Sequence, residues 1–139
     1  MIPKVVLDTN VYVSALLYRG KPKHVLDVAL SANCRLLIST PLELELGRVL
    51  RDRFGFTPRE LAANAEFLWS NAERIAPRSR LNLCPDEPDN RVLECAIEGS
   101  AGYIVTGDKH LLNLLPIEGL AVLRRDAFLA RFLATNAKP

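Results

Sequence analysis

Five acidic side chains stand where acids are awkward. Asp8 follows the apolar run at 5–7, Asp108 follows YIVT at 103–106, and Asp86 and Asp89 lie three residues apart in CPDEPDN; Glu45 sits within LELELGRVL. A lone charge at a strand end beside buried Val and Leu is costly, and Gly or Ser would make the same turn. Each acid also has an ordinary reading: Asp86 and Asp89 as caps at a helix start, Asp108 as a turn residue, Glu45 as a solvated helix residue. Those readings weaken once all five face a common centre, because two carboxylates about 5 Å apart repel by roughly 3 kcal/mol at an effective dielectric of 20. Such a group needs protons or a cation. Hard oxygen ligands with no nearby His or thiolate favour Mg2+ or Mn2+ over zinc.

The elements that would bring these acids together alternate between strand and helix. Strands are expected at 5–7, at RLLIS (35–39), at 103–106 and, more weakly, at 74–77 and 121–123. Helices are expected at 10–18 and 24–32, separated by the Gly- and Pro-containing loop YRGKPKH. A third begins at Ser39 or Thr40 with Pro41 in its first turn and buries Leu42, Leu46, Val49 and Leu50. Thr57, Pro58 and Glu60 form a capping-box pattern ahead of a stripe of Leu61, Ala65, Leu68, Trp69 and Ala72. The helix after CPDEPDN should turn Val92, Leu93, Ala96 and Ile97 inward. A short helix starts at Lys109, and an Asp126-capped helix, AFLARFLA, closes the chain. This order reads as an α/β fold, a three-layer α/β/α sandwich with a mostly parallel sheet. In such sheets the carboxyl ends of the strands open onto the ligand crevice, where Asp8 and Asp108 would sit.

The whole chain is consistent with that reading. Its 139 residues fit one domain, 1–139, and 49% apolar with 24% charged residues is a globular balance. A net charge of +2 does not by itself demand a nucleic-acid partner, so local patches must decide. Cys34, Cys84 and Cys95 are odd in number and widely spaced, which signals neither a disulfide framework nor a zinc knuckle and fits a reducing, cytoplasmic setting. No charged leader precedes the first strand and no apolar run reaches the ~18 residues of a membrane span, so no membrane association is expected.

Four stretches, LDTNVYVSALL, STPLELELGRVL, CPDEPDNRVLECA and GYIVTGDKHLL, together resemble the PIN-domain ribonucleases, in the branch related to VapC-type toxins of toxin–antitoxin pairs. The resemblance covers nearly the whole chain in order, and only the combination is specific. It implies a sheet with the first strand beside YIVT, and an acidic site of Asp8, Glu45, Asp89 and Asp108 with Asp86 auxiliary. Asn10 would hydrogen-bond within that site and Thr106 would orient a ligand or water. It further implies Mg2+- or Mn2+-dependent hydrolysis of RNA, a cognate antitoxin protein and a homodimer, with helices 10–32 as a contact surface. His110 departs from the pattern where many relatives carry another Asp, which weakens a second metal position and keeps a silent module that binds RNA or protein in play. Haloacid-dehalogenase-like phosphatases also begin with a strand and an Asp, but want a second Asp where Asn10 stands and another where Leu112 stands.

An acidic centre that handles a polyanion needs basic surroundings. Arg19, Lys21 and Lys23, Arg48 and Arg51, and Arg91 and Lys109 are the cations available for RNA, about half of them expected to be plain surface charges. His24 and His110 read as surface residues. Tyr18 could stack on a base, whereas Trp69 belongs to an apolar stripe and reads as core.

Overall fold

A computed structural model of the chain describes residues 2–136, with side chains described as far as Phe132; Met1 and residues 137–139 lie outside it. The elements run β1 (Lys4–Leu7), α1 (Thr9–Leu17), α2 (Lys21–Leu30), β2 (Arg35–Ile38), α3 (Thr40–Phe54) and α4 (Pro58–Trp69). There follow β3 (Glu73–Arg74), α5 (Glu87–Glu98), β4 (Tyr103–Val105), α6 (Lys109–Leu112), β5 (Ala121–Leu123) and α7 (Arg125–Asn136). The five strands form one parallel sheet in the order β3-β2-β1-β4-β5.

Alternation along the strands divides the core between the two faces of the sheet. Val5, Leu7 and Val105 pack with α1, α2, Leu46, Val49 and Leu50 of α3, and Phe128 of α7. Val6 and Ile104 pack on the opposite face with Leu93 and Ala96 of α5 and Leu111 of α6. Both faces are covered, which is why the strands read as unbroken apolar runs. The three-layer α/β/α architecture is therefore the observed one. The strand order reverses direction between β1 and β4, and this switch point opens at the strand ends that carry Asp8 and Thr106.

Local structure departs from the sequence reading in four places. Helix α2 starts at Lys21 and not at His24, so Lys21 and Lys23 lie on a helix and not in a loop; Pro22 falls in the first turn, where a missing N–H does no harm. Strand β3 ends at Arg74 and does not extend to Pro77, which has no N–H for a ladder. In α5 the inward side includes Cys95, fully buried, while Ile97 is exposed. Helix α7 begins at Arg125, placing Asp126 in its first turn and not at the cap. The Thr57–Glu60 capping box is present in full, with Glu60 N–H donating to Thr57 Oγ1 and Thr57 N–H to Glu60 Oε1. The three cysteines are free and buried, and among the described residues no helix is long and apolar enough to cross a membrane.

Candidate metal centre

Four of the five acids arrive at the site from the ends of elements. Asp8 is the N-cap of α1, and its Oδ1 accepts the Thr9 N–H at 2.7 Å. Its Oδ2 accepts the Thr106 hydroxyl at 2.8 Å, across 98 positions of sequence. Thr106 Oγ1 in turn accepts the Asp108 N–H at 2.9 Å, so a single hydroxyl ties the end of β1 to the end of β4. Asp108 caps α6 through Oδ1, which takes the His110 N–H at 2.7 Å.

Asp86 occupies the N-cap position of α5 yet makes no side-chain capping bond, and Asp89 sits in the first turn. Capping therefore does not account for Asp86. Asn90 holds this corner rigid. Its buried Oδ1 accepts the N–H groups of Leu83 and Cys84, and its Nδ2 donates to the Cys84 carbonyl, bonds of 2.8–2.9 Å. One ligand atom from each of Asp86, Asp89 and Asp108 lies within 4.8 Å of the others.

Asp8, Glu45, Asp86, Asp89 and Asp108 line one cavity of about 320 Å³, with Asn10 and Arg48 also in its wall. Glu45 comes from the middle of α3 and is gripped by Arg48, with Nη2–Oε1 at 2.8 Å and Nε–Oε2 at 3.2 Å. Burial pushes the Asp8 carboxyl up; its two hydrogen bonds oppose this, and the charges of Asp108 and Glu45 add to it. Asp89 is pushed up to about 6, first by burial and then by the charges of Asp108, Asp8 and Asp86. Its Oδ2 is buried without a hydrogen-bond partner among the described residues. An orphaned carboxylate oxygen beside two further carboxylates is what a hard divalent cation would satisfy, and the donor set is all oxygen.

The expected polar auxiliaries and cations divide. Thr106 is buried behind Asp8, and Asn10 is exposed at the cavity wall. Of the expected RNA-binding cations, Arg48 alone reaches the acidic cavity. Arg91 is a correction: it is 9% exposed and is spent on Glu94, Glu87 and the Leu81 carbonyl at 2.8–3.0 Å. Lys21 pairs with Asp126, Lys23 with Asp27 and Arg51 with Asp52, while Arg19 and Lys109 are exposed and do not line the acidic cavity. His110 is surface-exposed, its Nε2 4.0 Å from Asp86 Oδ2. Arg53, not singled out from sequence, lines the cavity; its spacing of eight from Glu45 along one helix was the available signal. Tyr18 is 63% exposed, and Trp69 packs edge-on against Tyr12 at 5.3 Å.

A family model described as PIN domain matches residues 4–110, which includes every acid of the cavity. The chain belongs to the PIN domain family. Protein MJ1680 of Methanocaldococcus jannaschii, itself uncharacterized, is 36% identical over 117 residues, spanning 80% of this chain and 74% of that one. This PIN domain also resembles VapBC2 of Rickettsia felis, solved bound to a DNA fragment from their promoter. There the TM-score is 0.61 at 17% identity, covering 86% of this chain and 96% of that one. The RRP44 PIN domain of T. brucei gives 0.51 at 16% identity, covering 98% and 84%. At such identities the solved structures speak for the PIN fold alone.

Proposed function

We propose that this PIN domain is a metal-dependent ribonuclease that hydrolyses phosphodiester bonds of RNA with Mg2+ or Mn2+. The observation that carries the reading is Asp89, buried with an unsatisfied oxygen and flanked by Asp86 and Asp108 within 4.8 Å. Asp8, Asp89 and Asp108 would hold the ion, with Glu45 and Asp86 completing or adjusting its shell. Bound there, a divalent ion supplies positive charge to the phosphodiester and acidifies water at neutral pH. The chain's own residues orient the reaction. Thr106 and the Thr9 N–H fix the Asp8 carboxylate, and Asn90 fixes the corner that presents Asp86 and Asp89. Water attacking phosphorus in line with the 3′-oxygen would form a P–O bond and break the P–O3′ bond, leaving a 5′-phosphate and a 3′-hydroxyl.

The motif resemblance to VapC-type toxins and the fold likeness to VapBC2 support a toxin role, with a cognate antitoxin, a homodimer and a cytoplasmic setting. The contact surface would be α1 and α2. The test compares the unmutated protein with Asp8→Asn, which keeps shape and removes charge. The expected outcome is loss of at least a hundredfold in cleavage of single-stranded RNA with the fold retained, and growth arrest on expression of the unmutated form only. Equal cleavage by both forms would remove Asp8 from the mechanism, and equal growth would remove the toxin role. A second reading, a silent PIN module that binds RNA or a partner protein, draws on His110 in place of an acid; calorimetric titration with Mn2+ that shows no binding would favour it.

A further inference from the structure

A second cavity, of about 400 Å³, adjoins the acidic one, and Asn10 belongs to the walls of both. Its position follows from the sheet. Leu7, Val105 and Leu123 stand in one register row of β1, β4 and β5. The next residues along, Asp8, Thr106 and Arg124, therefore form a row at the carboxyl edge. Two strand spacings of ~4.8 Å separate the backbone of Asp8 from that of Arg124, about 10 Å in all. Acids gather at the β1 end of this edge and cations at the β5 end.

The second cavity joins two cations to an apolar side. Arg124 and Arg125 line it, are exposed, and make no ion pair among the described residues. The first turn of α7 opens at Arg125, and a helix start favours anions. Asp126 lies in the same wall, its charge offset by Lys21 at 3.6 Å. Val11 and Pro22, both partly exposed, provide an apolar side, and Gly107 leaves open space where a side chain would otherwise project. The volume lies within the range of small-ligand sites. A polyanion also has reason to bind here: Arg48, the expected cation within the acidic cavity, is already forked onto Glu45.

We propose that this cavity receives the nucleotide next to the cleaved linkage of a single-stranded RNA. Arg124 and Arg125 hold its phosphate, and Val11 and Pro22 face its base. The assignment rests on the ribonuclease reading above, and binding and cleavage are measured separately to keep the two apart. In an Asp8→Asn background, a fluorescently labelled single-stranded oligoribonucleotide is titrated by anisotropy at several salt concentrations, with and without Arg124→Ser/Arg125→Ser. The pair is expected to raise Kd at least tenfold and to flatten the log K against log salt slope by about 0.7, the contribution of one neutralised phosphate on a single strand. Arg124→Lys/Arg125→Lys should restore the slope. Lys4→Ser/Arg35→Ser, at the opposite edge of the sheet, should leave it unchanged. Kd and slope unaffected by the arginine pair overturn the subsite and leave the cavity to a protein partner. RNA binding through these arginines without any cleavage by the unmutated protein sinks the ribonuclease reading and leaves the subsite standing. No binding at all overturns both.

Discussion

Asp89 sets how the metal-free protein responds to pH. Its carboxyl titrates near 6 in the folded chain, against about 3.9 in an unfolded one. Between those values the folded state binds more protons, so the contribution of Asp89 to stability is greatest in acid, falls as pH rises through 6 and levels off above it. In the presence of chelator, Tm is expected to be about 4 °C higher at pH 5 than at pH 7. Added Mn2+ should reverse this by stabilising the protein more at pH 7 than at pH 5; a metal-free Tm that rises from pH 5 to 7 would contradict the buried, crowded state of Asp89. His110→Asp should tighten Mn2+ binding, since it replaces an exposed imidazole beside Asp86 with another acid; calorimetry showing the same or weaker affinity would exclude His110 as the residue limiting the site. Asp8 and Asp108 stood out in the sequence because a charge directly after an apolar run is a sharp signal, whereas Asp86, Asp89 and Glu45 have ordinary readings alone and joined them only through the motif resemblance. Arg91 was not legible, because adjacency in CPDEPDNR says nothing about direction: Glu87 and Glu94, four before and three after, share its helix face and capture it.

At the scale of elements, the corner before α5 depends on one amide. Asn90 is fully buried and answers three backbone groups of residues 83–84. Asn90→Ala would leave those groups unsatisfied, and denaturant unfolding is expected to show a loss of about 2–4 kcal/mol. Mn2+ affinity should fall with it, because the corner carries two of the proposed ligands; a stable variant with unchanged affinity would show that the corner holds itself. Thr57→Ala, which removes one half of a capping box that does not line the acidic cavity, should cost about 1 kcal/mol and leave metal affinity alone. Element order and type could be read from periodicity and caps. Boundaries could not always be: GKPK reads as a break, yet Pro22 enters α2 without penalty and carries the cations onto the helix.

Across the whole molecule, Trp69 reports on both halves of the core, since it packs against the hydrophobic clusters on the two sides of the sheet. Urea unfolding followed by its fluorescence and by far-ultraviolet circular dichroism is expected to give one coincident transition; two midpoints would show that the layers come apart separately. The layered architecture was legible because the strands are apolar on both faces, whereas the cations of the β5 edge were not, since Arg124 and Arg125 gain meaning only once β5 is seated beside β4. That seating also orders events during synthesis. Strand β2 reaches its partner β1 within the first 38 residues, but β4, between β1 and β5, needs the chain to pass residue 105. Until then Asp8 has no Thr106 to orient it and no Asp108 beside it, and closing so long a loop is slow. On the ribonuclease reading proposed above, a growing chain that has already made Asp8, Glu45, Asp86 and Asp89 still lacks a complete site, and any activity harmful to the cell making it would appear only after most of the polypeptide has emerged.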